Sequence, residues 1–315
     1  MNKRSLGKTG LQIAPMVFGG NVFGWTVDQQ KAFTLLDRFV DAGLNTIDTA
    51  DSYSTWVPGN HGGESEAIIG QWLRDRGQRD KVVVITKVGS RIGAYERGLG
   101  GDSIIARAED SLRRLQTDHI DLYLSHWPDP ETPYEETLRA YEQLIAQGKV
   151  RAIGASNLDA TQLREALAVS DRLGLPRYAV QQPEYNLYDR AGFESGLRDL
   201  CIAEGQGVIT YYSLASGFLS GKYRSRDDLA KSVRGEGVAK YLDARGLRIL
   251  DALDTVAKAH EAQPAEIALA WLIAREGVTA PIASATSLEQ VDSLVRATRL
   301  ALTAGDIALL DIASA

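Results

Sequence analysis

The chain repeats one local pattern eight times: a short apolar, β-branched run, then a stretch with helical spacing. The runs lie at residues 15–18, 46–48, 82–87, 120–126, 152–156, 179–182, 208–212 and 281–283. Helical stripes follow at 28–41, 64–74, 103–115, 133–148, 160–173, 191–203, 247–260 and 264–275, and two more helices close the chain. Strand ends are mostly separated by roughly 25–40 residues, the period of repeated βα units, which pair as a parallel sheet; the gap before the last is longer. Eight such units predict closure into a (β/α)8 TIM barrel, one α/β domain spanning residues 1–315. An N-terminal β-hairpin over 4–13 precedes it, and extra helices gather near the C-terminus. An open doubly wound sheet is the alternative. It would carry a Gly-x-Gly-x-x-Gly turn after its first strand, and Gly19-Gly20-Asn21 is not one.

Bulk properties remove several classes. A net charge of -6 disfavours nucleic acid as a partner. No apolar run approaches the ~20 residues of a membrane span. The first ten residues are charged without an apolar core, so no secretory leader is expected. Cys201 is the single cysteine, which excludes a disulfide framework and fits a reducing cytoplasm; it reads as a buried core residue.

Three strand ends carry the chemistry. The run at 46–48 ends on Asp48, with Tyr53 five residues on; the run at 82–87 ends on Lys87; the run at 120–126 ends on His126. In a parallel barrel these share the carboxyl rim, where barrel chemistry sits. A tyrosine has a free pKa of ~10, and a neighbouring ammonium should pull it down. Lys87 supplies that charge, Asp48 holds and balances Lys87, and His126 offers an N–H to a carbonyl oxygen beside Tyr53. Such a set polarises an aldehyde or ketone and protonates its oxygen. With no nucleophilic cysteine and no metal cluster, hydride from a nicotinamide is the natural incoming group. Each residue alone has a plainer reading as ion pair, loop aromatic or core histidine; the arrangement favours a site. His61, His119 and His260 read as structural.

Asp48-Thr49-Ala50 with Tyr53, Thr86-Lys87, and Ser125-His126-Trp127-Pro128-Asp129 resemble the catalytic segments of the aldo-keto reductase superfamily. Gly148 to Asn157, Gln182 to Asn186, Tyr211 onward and Gly217 to Tyr223 continue the likeness, which covers nearly the whole chain. The resemblance implies a barrel binding NAD(P)H across its carboxyl face, with Tyr53 as general acid, Lys87 and Asp48 as its tuning pair, and His126 orienting the carbonyl. It assigns Ser156, Asn157 and Gln182 to the carboxamide and Tyr211 to stacking on the nicotinamide. Leu214, Ser216, Leu219, Gly221 and Lys222 fall to the pyrophosphate. Gly217 to Lys222 does not make a P-loop, since the spacing is one short and no Ser/Thr follows the lysine.

Two departures bear on the cofactor. Where many relatives read Tyr-Ser-Pro-Leu, this chain has Tyr211-Tyr212-Ser213-Leu214. NADPH-specific members often carry a basic residue at the Thr286 position; here Ser284, Thr286 and Gln290 offer neutral hydrogen bonds, and Leu294 stands where Asn is common. NADPH is the expected cofactor, with NADH or dual use open.

Trp25, Trp56, Tyr95 and Trp127 are candidate walls of a substrate pocket for hydrophobic or aryl carbonyls, while Trp72 and Trp271 read as core. The expected activity is reversible reduction of aldehydes and ketones to alcohols. The alternative is a cofactor-binding, redox-sensing regulatory subunit resembling the β subunits of potassium channels. Those usually carry Asn at the position of His126. A metal-dependent barrel hydrolase would need clustered ligands on several strand ends. Oligomeric state and physiological substrate stay open.

Overall fold

A computed structural model describes residues 2–93 and 95–315. The chain opens with an antiparallel hairpin, β1 (Arg4–Ser5) against β2 (Gln12–Ile13). Eight parallel strands follow: β3 (Val17–Gly19), β4 (Thr46–Asp48), β5 (Val83–Val88), β6 (Ile120–Ser125), β7 (Val150–Ser156), β8 (Val180–Gln182), β9 (Gly207–Thr210) and β10 (Ala280–Ala283). Each pairs with its successor, and β10 returns to β3, closing the barrel. Every residue of β5 and β6 is buried, because helices cover one face and the barrel core the other.

The helices are α1 (Gln29–Asp41), α2 (Glu64–Arg76), α3 (Gly101–Leu115), α4 (Tyr134–Ala146), α5 (Ala160–Leu173), α6 (Ala191–Glu194), α7 (Leu197–Glu204), α8 (Gly235–Val238), α9 (Ala244–Ala259), α10 (Pro264–Ile273), α11 (Leu288–Ala297) and α12 (Ala304–Ala313). Polar residues start several of them: Asp28 accepts from Lys31 N, and Asp159 closes a capping box with Gln162. No helix among the described residues is long and apolar enough to cross a membrane.

The single helix read over 191–203 is broken into α6 and α7. Gly196 sits at φ 106°, outside helical space, so the chain turns there and restarts. Likewise β9 ends at Thr210; Tyr211 leaves the ladder to bridge Glu184. The charged segment 222–245 forms a 3-10 turn at Arg226–Lys231, then α8 and a second 3-10 turn.

Strand side chains alternate between faces. Val17, Val83, Ile85, Leu122, Leu124, Ala152, Val180, Ile209 and Ile282 meet inside the barrel, and Leu6 and Ile13 of the hairpin join this cluster. Gly7 lies against the backbone of Ala179 and Gly207, which places the hairpin under the amino-terminal end of the strands. Continuing the inward parity upward from these residues gives Asp48, Lys87, His126, Ser156, Gln182, Tyr211 and Ser284. The apolar interior therefore ends in a polar layer at the carboxyl face.

Gly154 shows how tightly the interior is filled. A Cβ there would stand 2.4 Å from the carbonyl oxygen of Val180 and 2.7 Å from Leu124 Cδ2. Gly154→Ala should therefore lower unfolding stability by about 1–3 kcal/mol. Chemical denaturation checks this, and an unchanged midpoint would show that β7 and β8 can separate freely.

Candidate active site

Lys87 is fully buried, and its ammonium uses all three donors. It donates to Asp48 Oδ2 at 2.7 Å, to the carbonyl of Thr49 at 2.8 Å and to the Tyr53 hydroxyl oxygen at 2.8 Å. Asp48 is in turn fixed by Gln182, whose Nε2 donates to Oδ1 at 2.9 Å. The Tyr53 hydroxyl reaches Asp48 Oδ2 only at 3.3 Å, long for an O–H donor, so this hydrogen bond is weak. The ring of His126 stands 6.0 Å from that of Tyr53, centre to centre. The strand ends thus bring Asp48, Tyr53, Lys87 and His126 into one cluster.

Burial first, and then the Asp48 carboxylate, hold the Tyr53 phenol well above its ordinary range. Burial lowers Lys87, against the pull of Asp48. The tyrosine is therefore not acidified at rest, contrary to the expectation from Lys87 alone. Asp48 offsets the ammonium, and desolvation disfavours the phenolate. Burial, then the charges of Lys87 and Arg107, push His126 well below its usual value, which keeps the imidazole neutral.

Ser90 was not anticipated from sequence, since a serine after a strand carries no motif. Trp127 Nε1 donates to Ser90 Oγ at 3.1 Å, and Ser90 Oγ lies 3.1 Å from His126 Nδ1. The indole N–H takes one lone pair of Oγ, and Nδ1 is the one acceptor that the Ser90 hydroxyl meets among the described residues, which directs the serine proton to Nδ1. The proton of His126 is then assigned to Nε2. Ser90 is itself held: its carbonyl accepts from Arg107 Nη2 at 2.6 Å, and Arg107 Nε donates to Asp51 Oδ2 at 2.8 Å. Both Arg107 and Asp51 are buried, and burial pushes the Asp51 carboxyl up to about 7 against the pull of Arg107.

Asp48, Tyr53, Ser90, His126 and Trp127 line one end of a cavity of about 1080 Å³. Across its floor, Ser156 Oγ donates to the Gln182 carbonyl at 2.8 Å, and Asn157 Nδ2 donates to the His126 carbonyl at 2.9 Å. Tyr211 donates from its hydroxyl to Asn157 Oδ1 at 2.6 Å, which fixes its ring along one wall. Leu214, Ser216 and Lys222 line the middle. There Ala215, Ser216 and Gly217 take φ of 48°, 58° and 96° in succession. For the two non-glycine residues such backbone costs about 1 kcal/mol or more each. Two N–H groups of this turn are spent internally, Ala215 N on the Tyr212 carbonyl at 2.7 Å and Gly217 N on the Leu214 carbonyl at 2.8 Å. The far end holds Ser284, Thr286, Gln290 and Leu294.

The profile of the aldo/keto reductase family matches residues 15–315. The chain belongs to this family. It is similar to "Uncharacterized oxidoreductase YrpG" of Bacillus subtilis (strain 168), 35% identical over 94% of this chain and 91% of that protein. It is also similar to "Probable voltage-gated potassium channel subunit beta" of Oryza sativa subsp. japonica, 36% identical over 92% of this chain and 89% of that one. "Protein tas" of Escherichia coli (strain K12) is 29% identical over 93% and 92% of the two chains.

Within this aldo/keto reductase barrel some anticipated residues stand back from the cavity. Tyr95 does not wall it: its hydroxyl donates to Asp110 Oδ2 at 3.0 Å, and Arg107 covers its ring. Trp25 packs edge-on behind Trp56, their centres 5.8 Å apart, so Trp56 rather than Trp25 lines the space. Trp127 also lines it. Leu219 is packed in the apolar cluster behind, and Gly221 closes the turn after it at φ 78°. Cys201 and Trp72 are fully buried, as is Trp271. His119 contacts Asp118, and His260 contacts Asp306, away from the cavity. No group of metal-binding side chains exists among the described residues. At the far end sequence reading also missed Lys31, from the first turn of α1, which lines the cavity.

The hydroxyl of Ser90 can be tested alone. In Ser90→Ala, the His126 ring should populate both neutral tautomers, where the native protein shows the Nε2–H form. Nitrogen NMR of the imidazole reads this directly; the same single tautomer in both proteins would contradict the assignment.

Proposed function

We propose that this protein is an NADPH-dependent reductase of aldehydes and ketones, reversible as an alcohol dehydrogenase. The observation that carries the reading is the Lys87 ammonium joining Asp48 to the Tyr53 hydroxyl beneath a cavity that also holds a neutral His126. The cavity suits a dinucleotide. Gln182, Asn157 and Ser156 would hold the carboxamide, and the fixed ring of Tyr211 would flank the nicotinamide. The left-handed turn at Ala215 to Gly217 with Lys222 would take the pyrophosphate. Lys222 fits there because its Nζ lies 3.5 Å from where a Gly217 Cβ would stand.

When bound, the nicotinamide supplies hydride to the carbonyl carbon. The protein's own groups do the rest. His126 Nε2–H donates to the carbonyl oxygen and orients it toward Tyr53. Tyr53 passes its proton to that oxygen as the C–H bond forms, leaving a phenolate. The phenolate faces the Lys87 ammonium at 2.8 Å and is later reprotonated from solvent. A high resting pKa for Tyr53 suits this direction, because the acid is present and protonated before the hydride arrives.

NADPH is favoured over NADH although the far end lacks the arginine that would grip a 2′-phosphate. Thr286 spends its N–H and hydroxyl on Gln290 Oε1, at 2.7 and 3.2 Å, so the Gln290 amide nitrogen is the donor left for a phosphate. Lys31 is the cation of that end: its charge is one of the lesser causes, after hydrogen bonds at the start of α11, that hold Glu289 below its usual value.

The name of the rice relative, a probable voltage-gated potassium channel subunit beta, favours a second reading as a regulatory subunit, in which we would expect the barrel to bind the cofactor as a sensor and turn over little. One experiment separates the two: consumption of NADPH and of NADH with a reactive aryl aldehyde, from about pH 6 to pH 8. Turnover, faster with NADPH, supports the reductase; His126 contributes no step near its ordinary ~6.5, and a step at about 7 is expected only from Asp51. A neutral His126 and a protonated Tyr53 persist across that range, since one is shifted down and the other up. Tight cofactor binding with no turnover across a panel of carbonyls would move the protein to the sensor reading.

A further inference from the structure

Arg234 lines the cavity, yet no carboxylate pairs with it among the described residues, and its Nη2 is shielded from solvent without a hydrogen-bond partner. Its guanidinium lies over the ring of Trp25, 5.0 Å from the centre. That contact holds one face of the cation and leaves its edge donors free. Trp25 meets Trp56 edge-on, and Trp56 meets Tyr53 at 6.2 Å. The charge therefore stands on the Tyr53 side of the cavity, two aromatic rings from the acid.

The backbone that presents Arg234 is fixed. The next residue, Gly235, packs so closely that a Cβ would lie 1.7 Å from the carbonyl oxygen of Leu229. Just before it, Ser232 Oγ bonds the Tyr223 hydroxyl at 2.6 Å and accepts from Arg234 N at 3.3 Å. A second cation, Arg97, lies over Trp127 at 5.7 Å on the same rim. An unpaired, partly desolvated guanidinium is costly unless a ligand supplies its counter-charge. Burial lowers the Arg234 pKa for the same reason.

Resting on the reductase reading, we propose that the substrate is a carbonyl compound carrying an anionic group, carboxylate or phosphate, which Arg234 binds while Tyr53 and His126 hold the carbonyl. Trp56 lies between the two ends, so the anion and the carbonyl are joined by an aryl or similarly apolar spacer. The dinucleotide's pyrophosphate is the other candidate anion, which the proposed function gives to Lys222 and the Ala215–Gly217 turn.

The test is binding to the NADP+ complex, followed by tryptophan fluorescence, of 4-carboxybenzaldehyde against its neutral methyl ester. Native protein should bind the acid about tenfold or more tightly than the ester. Arg234→Gln should abolish that difference, Arg234→Lys should keep part of it, and NADPH affinity should be unchanged in both. Equal binding of acid and ester by native protein overturns the proposal, and needs no variant to fold. So does an Arg234→Gln protein that loses NADPH affinity and binds both aldehydes equally worse, which would give Arg234 to the pyrophosphate. Because binding is read without turnover, selective capture of the acid without NADPH consumption would sink the reductase reading while leaving the anion site in place.

Discussion

A lysine with no solvent exposure is the constraint on which the rest of this site depends. Burying an ammonium is expensive, and removing one partner of a buried pair typically costs on the order of 3–5 kcal/mol. Lys87 is stable where it is because Asp48, the Thr49 carbonyl and the Tyr53 oxygen each take one of its protons. The same three bonds dictate where the tyrosine oxygen must be. Structural satisfaction of the charge and placement of the acid are thus one arrangement. Gln182 extends it across the barrel by holding the free oxygen of Asp48.

Beneath the Lys87 layer lies an apolar interior, and above it a cavity whose wall stores backbone strain. Asn157, Tyr212 and Ser216, at φ 65°, 52° and 58°, line the cavity, while Ala215 packs into the apolar cluster behind it. Strain at those three is consistent with a surface shaped for a ligand instead of for packing. A second buried pair, Arg107 with Asp51, fixes the Ser90 carbonyl, and the Ser90 hydroxyl in turn sets the proton on His126. The site has two buried ion pairs, one behind its acid and one behind its hydrogen-bond donor.

Much of this was legible in the sequence because it follows short periods. Apolar runs of strand length, each with a helical stripe behind it, give the barrel, and alternation by two residues carries Asp48, Lys87 and His126 onto the inner face. The contacts of Ser90, Arg107 and Asp51 were not legible. They join residues far apart in the chain, and the spacing that gives α3 does not say which loop its Arg107 meets. The charged segment 224–245 reads as one that shapes the substrate site and covers the cofactor, but its irregular sequence does not single out Arg234. Tyr95 was misplaced because an aromatic in a loop next to a catalytic strand can turn either way; Asp110 on α3 turned it outward. The split of α6 from α7 was missed because the apolar spacing continues across Gly196, and only its backbone conformation interrupts the helix. The resting state of Tyr53 was misjudged because burial, which the sequence does not show, raises the phenol first and the Asp48 carboxylate adds to it.

The account's central claim is that Tyr53, held by Lys87, delivers the proton to a carbonyl oxygen. The most direct measurement is reduction of an aryl aldehyde by Tyr53→Phe, with NADPH affinity determined on the same protein. The account predicts turnover lower by about 10²–10⁴-fold, the usual contribution of a positioned acid, with cofactor affinity retained. A variant that binds NADPH normally and reduces the aldehyde at the native rate would contradict it, and would move the proton source away from the Lys87 cluster.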